Sequence, residues 1–297
     1  MKNGLIIIDK GEGISSQGVV SRVKRILGVK KAGHTGTLDP LATGVLPVLV
    51  ERGVKASEFM LTKDKHYSAT LLLGVTTDTE DITGTVTGEC DQIPSESEVL
   101  SAIKSFEGEY MQTPPMYSAL KVGGKKLCDL ARDGIEIERE PRRVEIFDIK
   151  AEALNEREYR LDVHCSKGTY IRTLCADIGK KLGTGGVMKA LRRTYASGFS
   201  LGDAVTLDAL ELMSEEERER AVLPVERIFK DKKKVALDDF YARLARNGVE
   251  IYLKKISCDT LAIGELVRIY DKSETFFALG EVRDFEDGAA IKPIRQF

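Results

Sequence analysis

The longest apolar run near the N-terminus, Leu5 to Ile8, is only four residues, far short of a signal-peptide core or of the roughly 20 apolar residues that a membrane-spanning helix requires. A cytoplasmic protein with no membrane association is therefore expected. Cysteine offers neither a disulfide framework nor a redox pair, because Cys90, Cys128, Cys165, Cys175 and Cys258 are odd in number and include no CxxC. Reduced, mostly buried thiols follow. The three histidines fall at no zinc-binding spacing, so no metal site is expected. The DxD and Asp-Thr/Ser-Gly triplets on which aspartate phosphotransferases and aspartic proteases depend are missing as well, which discounts those classes.

Charge of one sign is also lacking: the formal net charge of the 297 residues is −2. A uniformly basic nucleic-acid binder is excluded, but a bipolar one is not. Residues 1 to 55 carry nine Lys or Arg against four acids, whereas acids collect in 78 to 98 and from Glu211 to Glu219. This predicts a basic side facing phosphate, with the acids turned away from it; plain solvated helix faces are the alternative. The Lys230 to Lys234 run reads equally well as a linker. Apolar residues at 42% and charged residues at 31% describe a soluble chain able to bury a core, and its length suffices for two domains. Their boundary is expected near 230, giving 1–230 and 231–297.

Residues 5 to 9 read as a buried strand. Ser15 or Ser16 caps a helix in which Val19, Val20, Val23, Ile26 and Leu27 recur at helical spacing, and Gly28 ends it. Thr43 to Val50 reads as a strand, about 54 to 63 as a helix, and 66 to 74 as a strand with Tyr67, Ala69, Leu71 and Leu73 on one face. Ser95 and Glu98 make a capping box for a helix through about Phe106. Residues 158 to 166 alternate as a strand, and Thr169 is expected to cap a helix through about Leu182 that stops at Gly183. The stretch 111 to 142 mixes Pro114, Pro115, Gly123 and Gly124 with Lys and Arg, the composition of a mobile insertion ordered by its ligand. Strands and helices without regular alternation predict an α+β fold with a mixed sheet, and beyond Lys234 short strands turn at Gly264, Gly280 and Gly288.

The densest chemistry lies in residues 33 to 48, GHTGTLDPLATGVLPV. Pro40 biases Asp39 away from helix, so turn geometry aims its carboxylate, and His34 stands close by in the chain. Gly36 and Gly44 leave room for a substrate to approach the backbone. An Asp-Pro in a Gly-rich loop is by itself more often a structural turn. The whole string, however, closely resembles the catalytic motif of the TruB-type tRNA pseudouridine synthases.

Further blocks follow in that family's order. LIIIDKGEGISS (5 to 16) resembles its N-terminal motif, with Lys10 in the matching place and Gly11 where Pro is usual. KHYSATLLLG (65 to 74) carries Tyr67. PPMYSALKVGGKKLCDLARDG (114 to 134) resembles its RNA-contacting insertion, with Cys128 where an aromatic is common. KGTYIRTLCADIG (167 to 179) supplies Tyr170 and Arg172, and LRRTYASGF (191 to 199) supplies Leu191. The C-terminal segment resembles the PUA domain of the family, on a shorter and less specific motif.

The resemblance implies uridine-to-pseudouridine isomerisation in the T-arm loop of tRNA, conventionally position 55, by a stand-alone monomer with no obligatory protein partner. That reaction breaks the N1–C1′ bond, turns the uracil over and rejoins it through C5. It needs no redox step, cofactor or metal. An ionised Asp suits it by attacking C1′ or by abstracting a proton to form a glycal; no second acid is required, and none is expected near Asp39. The resemblance makes Asp39 the nucleophile and Arg172 its cationic partner, which would hold it by a two-donor fork. Tyr67 would stack on a flipped uracil and serve at the C5 proton, Tyr170 and Leu191 would close the pocket, and His34 would fill the gap the base leaves. Lys10 would support the loops, and Ser118 with Lys121 would meet RNA backbone. On spacing alone Tyr67 is ordinary core, Arg172 a surface helix residue and His34 a structural hydrogen-bonder. Two alternatives stand beside this reading. One is a tRNA-folding factor using the same RNA site without catalysis as its main role. The other is a guide-RNA-dependent synthase, whose relatives commonly show Ser and a PKVTG-like ending where this chain has Thr35 and PLATG.

Overall fold

The structure, a computed structural model, describes residues 3–61, 64–118, 120–256, 258 and 260–297. The strand Gly4–Lys10 leads into the helix Ser16–Leu27, whose N-cap Ser15 accepts a hydrogen bond from the Gly18 N–H and whose last turn closes on Gly28 in the left-handed conformation. The capping box of Ser95 and Glu98 opens the helix Glu96–Lys104. Two expected elements differ. In place of a helix over 54 to 63, a 3₁₀ turn at Glu51–Ala56 precedes the short helix Ser57–Leu61, and Thr62 and Lys63 lie outside the described residues. Packing is the reason, since Gly53 backs onto Gly4 so closely that a Cβ would stand 2.1 Å from the Gly4 carbonyl oxygen. The helix Ile171–Leu182 begins after Tyr170, while the Thr169 hydroxyl donates back to the Ser166 carbonyl at 3.0 Å and caps nothing.

Ten strands make one mixed sheet. Eight follow the spatial order Val205–Thr206, Gly4–Lys10, Thr43–Val50, Gly186–Ala196, Lys65–Leu73, Glu158–Cys165, Arg142–Ala153, Gly108–Gln112; Ala32–His34 and Phe199–Ser200 pair alongside. Neighbours are antiparallel except where Val205–Thr206 meets Gly4–Lys10 and where Arg192 and Arg193 run parallel to Thr43 and Gly44. This is the α+β arrangement expected from the pattern. Alternation sends Ile6, Ile8, Tyr67, Ala69, Leu71 and Leu73 into one core with Val19, Val20, Val23, Leu174 and Ile178 from the two long helices. Leu5 and Ile7 enter another on the opposite face, so the first strand is buried on both sides. Among the described residues no helix is long and apolar enough to cross a membrane.

Residues 113–141 leave the sheet between Gly108–Gln112 and Arg142–Ala153. The expected bounds of 111 and 142 are too wide, because Arg142 pairs with Gln112 and Arg143 with Met111 inside the sheet. The excursion has structure of its own, a hairpin of Lys121–Val122 with Lys125–Lys126 and a helix Leu127–Arg132.

A second sheet, in the order Lys233–Ala236, Leu266–Tyr270, Phe276–Phe285, Gly288–Gln296, Ile251–Tyr252, packs with the helix Asp239–Arg246. The lysine run before it is no loose linker: Lys233 and Lys234 lie in its first strand and pair with Glu265 and Glu274. Phe276, Leu279 and Ile294 of this sheet, and Phe297 just after it, share an apolar cluster with Leu5, Ile7, Phe59 and Phe229. Cutting the chain after Asp231 is therefore expected to uncover a face of the main sheet and to cost at least ~3 kcal/mol of stability. Urea unfolding of the shortened chain is the check; a midpoint equal to that of the full chain would mean that the two sheets are energetically independent.

Candidate active site

The loop that bears Asp39 is pinned on both sides of that residue. Just before it, the Ser16 hydroxyl accepts from the Leu38 N–H and donates to the Leu38 carbonyl, both at 2.8 Å. Just after it, the Pro40 carbonyl accepts from the Gly13 N–H at 2.8 Å and from Lys10 Nζ at 3.1 Å, and the Ala42 N–H closes a turn on the Asp39 carbonyl at 3.0 Å. The side chain of Asp39 remains 37% exposed, at the mouth of an otherwise buried region.

Arg172 sits beneath it. Its guanidinium is 5% exposed, and Nε lies 3.0 Å from Asp39 Oδ2. The rest of the fork is committed elsewhere: Nη1 donates to the Thr79 carbonyl at 3.0 Å and faces Asp81 Oδ2 at 3.6 Å, and Nη2 donates to the Tyr117 carbonyl at 2.8 Å. The expected two-donor grip on Asp39 is thus replaced by one donor to Asp39 and three further acceptors, which fix the plane of the guanidinium from all sides. The expectation of no second acid nearby also fails, because the structure brings Asp81, itself 6% exposed, against the same arginine. Asp81 is anchored by the Thr83 N–H and hydroxyl at 2.9 and 2.5 Å and by the Thr79 hydroxyl at 2.9 Å. Burial pushes the Asp39 carboxyl above the usual carboxylate range; Arg172 opposes the rise, Asp81 adds to it and Lys10 opposes it.

Lys10 and Arg193 are two fully enclosed cations on either side of the loop. Lys10 Nζ donates to the carbonyls of Gly11 at 2.9 Å, Pro40 at 3.1 Å and Ala42 at 2.5 Å, and burial lowers its pKa to about 8 against the pull of Asp39 and Glu12. Arg193 donates to the carbonyls of Val45 at 2.8 Å, Gly36 at 3.2 Å and Thr37 at 3.5 Å, and its charge opposes the rise that burial gives the Tyr67 phenol pKa. Sequence reasoning missed Arg193, although one signal was present: it shares the inward face of its strand with Leu191. The space at Gly44 serves it as well. A Cβ there would stand 2.2 Å from the Arg193 carbonyl oxygen, so this glycine admits the neighbouring strand and not, as expected, a substrate. Arg193→Met is expected to leave three carbonyls unsatisfied, costing roughly 2–5 kcal/mol and lowering kcat far more than it raises KM. Urea unfolding with steady-state kinetics measures both, and an unchanged kcat would remove Arg193 from the loop's support.

Tyr67 is 8% exposed, and burial raises its phenol pKa. His34 pairs with Val48 at the head of the loop; burial and then Arg193 lower its pKa. Leu191 lies 9% exposed on the strand beside Thr43, whose hydroxyl reaches the Leu191 carbonyl at 3.4 Å. The backbone of Tyr170 is clamped by Gln112, which accepts from its N–H at 2.8 Å and donates to its carbonyl at 3.0 Å. Ser118 is only 4% exposed, and its hydroxyl is buried with no hydrogen-bond partner among the described residues, so the structure gives it a place inside the protein and not on an RNA-facing surface. Lys121 opens the hairpin strand, and its side chain lies outside the described residues.

The two acid-rich segments do not stay clear of the basic ones. Glu211 pairs with Arg22 at 2.7 Å and Arg25 at 3.0 Å, and Asp81 belongs to the site. The positive charge of residues 1 to 55 is therefore partly neutralised within the fold, and Lys10 faces no solvent at all.

Known proteins bear on this constellation. Residues 24–171 match a family model described as the N-terminal domain of the TruB family of pseudouridylate synthases, and 172–230 match one described as the C-terminal domain of tRNA pseudouridylate synthase B. The chain is 45% identical over 284 residues to the tRNA pseudouridine synthase B of Alkaliphilus oremlandii, covering 95% of this chain and 94% of that protein. It is 41% identical over 280 residues to that of Clostridium tetani, covering 94% and 95%. Among solved structures, it resembles a chain from a Cbf5-Nop10-Gar1 complex, with a TM-score of 0.74 and 28% identity across 99% of this chain and 85% of that one.

Proposed function

Because the chain belongs to the TruB family of pseudouridylate synthases, we propose that it isomerises uridine to pseudouridine in the T-arm loop of tRNA, with Asp39 as the nucleophile. The carrying observation is the 3.0 Å contact of Asp39 with a buried Arg172. A carboxylate raised in pKa by burial stays ionised only beside such a cation. The target nucleotide is flipped out of its stack at a cost of a few kcal/mol and enters over Asp39. Tyr67 takes the uracil face, while Tyr170 and Leu191 enclose it and His34 occupies the vacated stack. Asp39 attacks C1′ or abstracts a sugar proton. The N1–C1′ bond breaks as uracil leaves as a delocalised anion and turns within the pocket; C5 then bonds to C1′ as the Asp39–C1′ bond breaks or, on the glycal route, as Asp39 returns its proton to the sugar, and loss of the C5 proton is balanced by protonation of N1. Lys10 and Arg193 hold the loop still and touch no reacting atom.

The enzyme acts as a cytoplasmic monomer without an obligatory protein partner. Residues 231–297 act as a PUA-like RNA-binding unit, and the hairpin at 121–126 reaches the tRNA backbone. The guide-RNA alternative is disfavoured by sequence: identity is 41–45% to proteins named tRNA pseudouridine synthase B but 25% to the chain in a structure of an H/ACA RNP bound to a substrate RNA. The deciding experiment maps pseudouridine in tRNA from cells lacking this protein and from cells re-supplied with it. Loss and restoration at the T-arm uridine alone supports the proposal; restoration at other positions, or only with added guide RNA, refutes it.

A further inference from the structure

Away from Asp39, three candidate ligands separated by up to a hundred residues in sequence come together. His66 and His164 are directly opposed on the neighbouring antiparallel strands Lys65–Leu73 and Glu158–Cys165. They lie on the sheet face opposite to that of Tyr67 and Lys65, because side chains alternate along a strand. Asp64 precedes the first of these strands. The two imidazole rings stack with centroids 4.1 Å apart and a tilt of 31°. Both Nε2 atoms converge on one carboxylate oxygen: His164 Nε2 lies 2.7 Å and His66 Nε2 3.9 Å from Asp64 Oδ2. One ligand atom from each of the three residues falls within 4.8 Å of the others. Phe147 packs on His164 at 4.8 Å and Tyr195 on His66 at 4.9 Å, so that four adjacent strands carry a row of rings that fixes both imidazoles from outside.

We propose that Asp64, His66 and His164 form a binding site for a borderline divalent transition ion of the Zn²⁺ class. Two imidazole nitrogens and one carboxylate oxygen are a donor set that such ions prefer, whereas Mg²⁺ and Ca²⁺ call for oxygen donors throughout. Directly opposed residues on paired strands have their Cβ atoms ~5 Å apart, which suits two imidazoles closing on a single ion. The strands supply the preorganisation, and only Asp64 comes from outside the ladder. All three side chains are between 33% and 44% exposed, so an ion has direct access from solvent. Three protein ligands leave a fourth tetrahedral position open to water or to an incoming donor. The separation of His66 from His164 in sequence explains why the histidine spacing showed no such site. Base isomerisation requires no metal, so the site stands apart from the chemistry at Asp39; a bound ion instead ties the start of the Tyr67 strand to its neighbour.

The test uses the full-length chain without a histidine tag, stripped with a chelator and titrated with Co²⁺ and then Zn²⁺. Expected are one equivalent of Co²⁺ whose visible bands lack thiolate charge transfer, displacement by Zn²⁺, and a thermal midpoint raised by about 5 °C at a hundredfold excess over Kd. Mg²⁺ at the same concentration should do neither. Asp64→Asn and the pair His66→Asn with His164→Asn change partly exposed side chains, and near-UV circular dichroism confirms that they fold. Each should weaken Co²⁺ binding at least tenfold. Absence of saturable binding below about 100 μM, a thiolate band pointing to the cysteines, or variants that bind as the parent does would overturn the assignment.

Discussion

Asp39→Asn is expected to abolish turnover while leaving tRNA affinity within roughly tenfold, because affinity comes mainly from phosphate and loop contacts and the lost charge serves only the reaction. The substitution is nearly isosteric. Leu38 stays pinned by Ser16 and Pro40 by Lys10 and Gly13, so the loop keeps its path and the variant should fold and bind. An amide can neither attack C1′ nor hold a positive charge developing on the sugar. Tritium release from RNA labelled at C5 of uridine, measured beside filter binding, separates the two effects. A variant retaining more than a few per cent of the parent rate would remove Asp39 from the nucleophile role.

Arg172→Lys should be severely defective although it preserves charge. The guanidinium serves Asp39 from Nε, the Tyr117 carbonyl from Nη2, and the Thr79 carbonyl and Asp81 from Nη1, all in one plane. A lysine ammonium is a single point on a flexible stem and cannot reproduce that plane. It would leave buried acceptors unsatisfied and let the Asp39 carboxylate drift, and a displacement of about 1 Å can lower the rate on the order of a hundredfold. Arg172→Ala should be worse, because Asp39 would then face Asp81 with no guanidinium between them, and two close carboxylates in a buried setting share a proton. Single-turnover rates at saturating enzyme give the comparison. A lysine variant within a few-fold of the parent would show that charge alone suffices.

The sequence made the elements of the fold legible more readily than their partners. Apolar spacing and a serine cap identified the helix at 16–27, the closing Gly183 marked the end of the helix at 171–182 although its expected Thr169 cap failed, and alternation identified the inward face of Tyr67, because these features depend on neighbours three or four residues away at most. Asp81 escaped because its role depends on Arg172, which is remote in the chain. Its acid-rich surroundings instead suggested a solvated face. Ser16 was legible as a cap and not as the anchor of Leu38, since only the fold sets that helix end against the loop. Arg193 escaped for a different reason: an arginine on a strand reads as surface unless the depth of the strand is known. The two-donor pairing expected of Arg172 failed because the count of other acceptors around a buried guanidinium is a tertiary property.

The most direct measurement is the pH dependence of the single-turnover rate on one tRNA transcript, for the parent and for Arg172→Ala. On the proposed mechanism Asp39 reacts only when ionised, and burial raises its pKa with Arg172 opposing, so the rate should rise with pH through an acid limb lying above the usual carboxylate range. Deleting the guanidinium removes the main opposition and should move that limb to still higher pH, in addition to lowering the plateau. Identical acid limbs in the two proteins would contradict an ionised Asp39 held in its reactive state by Arg172.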